Sequence, residues 1–178
     1  MINTIIFSKN NPQGLQELLD SIETYWFLHP LINILVKETH LEYGKQYREI
    51  DTKNLMNPYC FRYDSGDLKK DILDITKHMG FDYTMFLTDQ DRLINTFVME
   101  AASMLRCDGV SGVSCNEHIP TARRSLCIHG VIYRTKDVVR YIKGLSPVEN
   151  PGDLTSDKET PVIFSPYESY VETIDCET

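Results

Sequence analysis

An apolar β-branched run, a helical repeat and a second apolar run open the chain, and this succession constrains the fold more than any other feature. Ile2-Asn3-Thr4-Ile5-Ile6-Phe7-Ser8 reads as a buried strand that stops at Lys9-Asn10-Asn11-Pro12. Asn11 before Pro12 is a predicted N-cap with proline at the first helical position. Leu15, Leu18, Leu19 and Ile22 recur at helical spacing, which predicts a helix from Pro12 to Tyr25. Leu31 to Val36 is the second strand. Strand, helix, strand is the unit that builds a parallel sheet through a crossover connection.

The segment from His40 to Tyr63 mixes aromatic and charged residues and predicts no regular element. Leu68, Ile72, Ile75 and Met79 share one face of a helix predicted over Asp67 to Met79, which Gly80 would end. Phe81 to Leu87 is a third strand, followed at once by Thr88-Asp89-Gln90-Asp91 and then by a predicted helix from Leu93 to Leu105. Two more strands are expected at Gly109 to Ser114 and Cys127 to Tyr133, and a short helix at Lys136 to Ile142. From Ser146 onward Pro, Gly, Asp and Thr dominate, with one late strand at Val162 to Phe164. The expected architecture is α/β, a single-domain three-layer α/β/α sandwich with a mostly parallel mixed sheet.

Composition narrows the function. At 178 residues and 42% hydrophobic content the chain suits one globular domain with a sizeable core. The net charge of −8 argues against nucleic-acid binding, because a phosphate backbone is held chiefly by Lys and Arg. It leaves room for a nucleotide ligand whose diphosphate is neutralised by a carboxylate-held cation. Cys60, Cys107, Cys115, Cys127 and Cys176 are odd in number and lack a C-x-x-C pair, so they form no disulfide framework. With no stretch near the roughly 20 apolar residues of a membrane span, a cytoplasmic setting is expected.

In open α/β sheets ligands bind outside the carboxyl ends of the strands. Asp89 and Asp91 are predicted at such an end. Two hard carboxylates at i and i+2 suit Mg²⁺ or Mn²⁺, with phosphate oxygens and water completing the shell. The same two residues also suit a cap on a following helix. The apolar strand Tyr83 to Leu87 delivers them to the sheet edge beside the exits Ser8 to Asn10 and Lys37 to Thr39, and this placement favours the metal.

With these residues in place, the chain resembles the nucleotide-diphospho-sugar glycosyltransferases of GT-A fold, particularly a bacterial and large-virus branch. Ile34-Leu35-Val36-Lys37-Glu38-Thr39, with Tyr43 and Tyr47 following, is similar to its second strand and Lys-x-Ser/Thr loop, and Phe86-Leu87-Thr88-Asp89-Gln90-Asp91 to its Asp-x-Asp segment. His129-Gly130-Val131-Ile132-Tyr133-Arg134 with Asp137 resembles its acceptor-side strand and helix, and Asn150-Pro151-Gly152-Asp153 its late Asn-Pro-Asn loop. Gln90 stands where an Asp is common and Gly152 replaces the second Asn.

The resemblance implies a metal-dependent, hexosyltransferase-like glycosyltransferase that moves a sugar from a UDP- or GDP-linked donor to a hydroxyl of a carbohydrate or glycan acceptor. Residues 1–91 would form the nucleotide-binding half and 92–178 the acceptor-side half. Ser8, Lys9, Asn10, Lys37, Asp67, Lys70, Asp89 and Gln90 are the expected nucleotide-sugar contacts, and Asp89 and Asp91 the ligands of Mn²⁺ or Mg²⁺. His118 and His129 are candidates for a third ligand, although neither has ligand spacing with the pair. Asp153 is the expected catalytic base, with Glu149, Asp157 and Glu159 as alternatives. Two other functions compete: a non-catalytic nucleotide-sugar-binding module, and a haloacid-dehalogenase-like phosphohydrolase with Asp89 as nucleophile. The latter group carries its motif after the first strand, which disfavours it here.

Overall fold

A computed structural model describes residues 2–25, 31–51, 59–77, 80–94, 105, 112–115, 126, 128–154, 162–164 and 171–173. In chain order these form β1 (Ile2–Lys9), α1 (Pro12–Tyr25), β2 (Leu31–Lys37), α2 (Leu41–Asp51), β3 (Tyr59–Tyr63), α3 (Leu68–Lys77) and β4 (Tyr83–Thr88). They continue with β5 (Asp91–Leu93), β6 (Gly112–Ser114), β7 (Val131–Arg134), α4 (Thr135–Lys143), a 3-10 turn at Pro151–Leu154, β8 (Val162–Phe164) and β9 (Val171–Thr173). Seven strands form one sheet in the order β3-β2-β1-β4-β7-β6-β8, while β5 and β9 pair separately.

The sheet is mixed. β1 runs parallel to both β2 and β4, and β2 parallel to β3, whereas β7 is antiparallel to β4 and β6. The chain builds outward from β1 through β2 to β3 and then returns to place β4 on the other side of β1. The boundary between β1 and β4 is therefore a topological switch point, where loops leaving adjacent strands diverge and open a crevice.

Alternation along the strands separates two cores. Ile2 and Ile6 of β1, Ile32, Ile34 and Val36 of β2, and Met85 and Leu87 of β4 pack with Leu15, Leu18, Leu19 and Ile22 of α1 and Tyr47 and Ile50 of α2. Ile5, Phe7, Leu35 and Phe86 face the other way, onto Leu68, Ile72 and Ile75 of α3 and Val138 and Ile142 of α4. This is the expected three-layer α/β/α sandwich. Each fully buried Leu or Ile of α1 contributes about 1.5–3 kcal/mol, so the helix is held chiefly by its apolar face. Its start is fixed locally: Asn11 Oδ1 accepts the Gly14 amide at 3.0 Å, as the N-cap reading predicts.

Several expectations change. His40 to Tyr63 is not irregular throughout but holds α2 and β3; α2 is mostly polar, with only Gly44, Tyr47 and Ile50 buried at three-residue spacing. The helix expected from Leu93 does not start there, because Asp91–Leu93 is a strand whose Leu93 amide is held by Ser21 Oγ at 3.0 Å. The remainder of that helix, 95–104, lies outside the described residues. The strand expected from Cys127 begins at Val131, after Gly130 turns at φ 69°. Among the described residues no helix is long and apolar enough to cross a membrane.

Candidate functional site at the β1–β4 switch point

A cavity of about 270 Å³ opens at the carboxyl ends of β1, β2 and β4. Phe7, Leu35 and Leu68 form its apolar side, and Ser8, Lys9, Lys37, Asp64, Asp89, Gln90 and His129 its polar side. A pocket with an apolar body and a few convergent polar groups is the usual form of a small-molecule site, and this volume falls just below the ~300–1,000 Å³ common for one.

Asp89 is anchored across the switch point. Its amide donates to Phe7 O at 3.0 Å, and its Oδ2 accepts from Ser8 Oγ at 2.8 Å and from the Lys9 amide at 3.1 Å. Burial pushes this carboxyl above the ordinary carboxylate range. The hydrogen bonds from Ser8 and Lys9 and the side chain of Asn11 pull it back down, while Asp91 nearby opposes them. Ser8 is buried and also bonds the Tyr47 hydroxyl at 2.7 Å.

Asp91 is turned elsewhere and is 0% exposed. Its Oδ2 accepts from the Thr88 amide at 2.7 Å and from Thr88 Oγ1 at 3.1 Å, and its Oδ1 lies 3.2 Å from His129 Nδ1. An ionised carboxylate only accepts, so Nδ1 carries a proton, and in the neutral ring Nε2 then holds the lone pair. Asp89 and His129 line the cavity; Asp91 sits behind them. Two carboxylates and a ring nitrogen suit Mn²⁺ or Mg²⁺ in chemistry. They are not preassembled, since among the described residues no three such side chains converge on one point.

The other expected residues divide. Lys9, Lys37 and Gln90 line the cavity; the Lys37 ammonium donates to Glu149 O at 3.1 Å and lies 3.5 Å from Asp64 Oδ2. Asn10 does not line it. At φ 54°, a left-handed position that Asn tolerates, it joins the exits of β1 and β2 by donating through Nδ2 to Thr39 Oγ1 at 2.7 Å and accepting the Thr39 amide at 2.9 Å. Asp67 caps the start of α3 and meets the Val148 amide at 3.4 Å, and Lys70 is exposed on α3, so neither reaches the cavity. Asp153 borders an adjoining groove of residues 145–150 and pairs with Asn150 Nδ2 at 3.3 Å. His118, Asp157 and Glu159 lie outside the described residues.

Sequence reasoning missed Asp64. It stands one residue past β3, just after the segment read as irregular, and its amide is held by Val36 O at 2.9 Å. The only sequence cue was its place before Gly66, which turns at φ 88°.

No family model matches the chain, and no curated protein matches it. Solved structures do. S. aureus TarS 1-349 in complex with UDP-GlcNAc is similar over 99% of this chain and 59% of that one, with 13% identity and a TM-score of 0.64. The mannosyltransferase PcManGT from Pyrobaculum calidifontis, in complex with GDP-Man and Mn²⁺, is similar over 95% of this chain and 58% of that one, again at 13% identity and a TM-score of 0.64. A cytidylyltransferase from Leptospira borgpetersenii matches over 95% and 77%, at 16% identity and a TM-score of 0.63. The chain thus spans 59% and 58% of the two glycosyltransferases' lengths. Identities this low carry the fold alone: the chain has the GT-A fold shared by nucleotide-sugar glycosyltransferases and nucleotidyltransferases.

Proposed function

We propose that the protein is a metal-dependent glycosyltransferase that takes a UDP- or GDP-linked sugar and passes the sugar to a hydroxyl of a carbohydrate acceptor. One observation carries this reading: Asp89 is tied to Ser8 and to the Lys9 amide on the wall of a cavity at the β1–β4 switch point, and Lys9 and Lys37 also line that cavity. The apolar floor of Phe7, Leu35 and Leu68 suits a nucleobase and ribose. Asp64 and Lys37 offer an acceptor and a donor to base edges, and Lys9 faces the diphosphate. Residues 1–91 supply most of this wall, and Ile128, His129 and Pro151 from 92–178 close it.

Mn²⁺ or Mg²⁺ is assigned to Asp89 and Asp91, with His129 beside them. A cation held there supplies neutralising charge to the departing diphosphate. Asp91 Oδ1, held by His129 Nδ1, would meet a cation through its remaining lone pair; otherwise Asp91 acts by orienting that ring. Asp153 is the proposed base that takes the acceptor proton. Its loop reaches the site through Pro151, which lines the cavity.

The position of Asp153 in the adjoining groove favours a second reading, a module that binds a nucleotide sugar without turning it over. Calorimetry with UDP-GlcNAc and GDP-mannose in Mn²⁺, followed by assay of sugar release to water and to glycan acceptors, separates the two. Binding with release supports the enzyme; binding without release to any acceptor supports the module; absence of binding contradicts both.

A further inference from the structure

We infer that Tyr47 of α2 is a positioning residue of this site, whose hydroxyl fixes where Asp89 meets the cation-diphosphate part of the donor. The inference rests on the nucleotide-sugar reading. Tyr47 is 0% exposed and does not line the cavity, so it acts only through other groups. Its hydroxyl has two partners, Ser8 Oγ at 2.7 Å and the Asn11 amide at 2.9 Å. Both belong to residues that hold Asp89: Ser8 through its hydroxyl, and Asn11 through its side chain.

With Asp89 ionised, the direction of each hydrogen bond in this chain follows. Facing an ionised Asp89, the Ser8 hydroxyl has one proton and gives it to Oδ2. Ser8 Oγ is then an acceptor toward Tyr47, so the phenol donates to it. The Asn11 amide can only donate, so the phenol oxygen accepts there. The sequence runs Asn11 N–H to Tyr47 O–H to Ser8 O–H to Asp89 Oδ2, with each bond polarising the next. Phenylalanine would fill the same buried space. What the hydroxyl adds is the link by which α2 sets the rotamer of Ser8 and, through it, the carboxylate.

A structural role exerted through the Asn11 amide would cost the same whether or not Ser8 is present, whereas a relay through Ser8 would not. The test is a double-mutant cycle on affinity, with UDP and GDP in Mn²⁺ titrated into the wild type, Tyr47→Phe, Ser8→Ala and the double variant, and melting temperatures recorded alongside. Each single change is expected to weaken binding by about 5- to 30-fold, the fold-change of losing a buried hydrogen bond. The double variant is expected within about 2-fold of Ser8→Ala. Penalties that multiply, or wild-type affinity in Tyr47→Phe, overturn the inference while leaving the nucleotide reading intact. A wild type that binds neither nucleotide overturns the reading and this inference together. Should Tyr47→Phe fail to fold, exchange of the Tyr47 hydroxyl proton in the wild type answers instead. It is expected to slow when UDP or GDP with Mn²⁺ is added, and unchanged exchange in a nucleotide-bound protein overturns the inference.

Discussion

A Cβ atom on Gly14 would lie 2.5 Å from the carbonyl oxygen of Asp89, closer than such atoms approach, so α1 and the Asp89 turn touch backbone to backbone. Gly to Ala inside a helix ordinarily stabilises by up to about 1 kcal/mol. Here the sign is expected to reverse, because the Asp89 carbonyl cannot move aside and the still nearer Asn11 side chain is the cap of α1. Gly14→Ala should destabilise by about 1–3 kcal/mol, the usual cost of overpacking, and should weaken nucleotide binding by displacing Asp89. Denaturant titration and calorimetry on the same variant check both effects.

Arg92 completes this docking. Its Nη1 donates to Asp89 O at 3.1 Å and Asp91 O at 2.6 Å, while Nη2 meets Glu17 Oε2 of α1 at 2.5 Å. Glu17 is about half exposed, so its ion pair alone contributes little. The carbonyl contacts matter more: Nη1 donates to both while Nη2 reaches α1, and a single ammonium cannot reproduce this two-nitrogen fork. Arg92→Lys is expected to bind nucleotide about 10-fold more weakly, with the loss persisting at 0.5 M salt. A loss that vanishes in salt would reduce Arg92 to a surface charge.

The parts of the fold readable from sequence are those whose own pattern determines them. Ile2 to Ser8 and Leu31 to Val36 are mostly apolar runs, buried almost throughout because the sheet is covered on both faces, and α1 carries an N-cap, a first-turn proline and a full apolar stripe. α2 escaped notice because its buried face is only Gly44, Tyr47 and Ile50, a narrow stripe on an otherwise polar helix. β3, next to it, is a five-residue, half-buried edge strand whose Tyr59, Cys60, Phe61 and Tyr63, broken only by Arg62, show neither alternation nor a β-branched run. For the site, Asp89 and its neighbours at Ser8 and Lys9 were legible from strand ends. The pairing of Asp91 with His129 was not, since it joins residues 38 apart through the β4–β7 pairing.

Asp91 and Asp153 should separate binding from turnover. Asp91→Ala removes buried charge behind the cavity and frees His129, so donor affinity and transfer are expected to fall together. Asp153→Asn keeps the side chain's shape and its place beside Asn150, so donor affinity should persist while transfer drops by about 10²- to 10⁴-fold. Full transfer in Asp153→Asn would move the base assignment to Glu149, Asp157 or Glu159.

Burial alone pushes the Cys115 thiol far above its ordinary range, and the thiolate is the reactive form. Cys115 lies in the core beside Val113 and Ile132, whereas Cys60 on β3 is partly exposed. Alkylation at pH 8 mapped by mass spectrometry is therefore expected to spare Cys115 until denaturant unfolds the chain. Modification of Cys115 as fast as Cys60 under native conditions would show that this side of the sheet opens readily.

The central claim is that a cation links Asp89 to the diphosphate of a nucleotide sugar, and calorimetric titration of the wild type and Asp89→Ala with UDP-GlcNAc and GDP-mannose, with Mn²⁺ and with excess chelator, tests it most directly. The account predicts that the wild type binds one of the two donors in Mn²⁺, and that both chelation and Asp89→Ala reduce that affinity by at least about 10-fold, roughly 1.4 kcal/mol. Equal affinity in Mn²⁺ and chelator, or wild-type affinity in a folded Asp89→Ala protein, would contradict it.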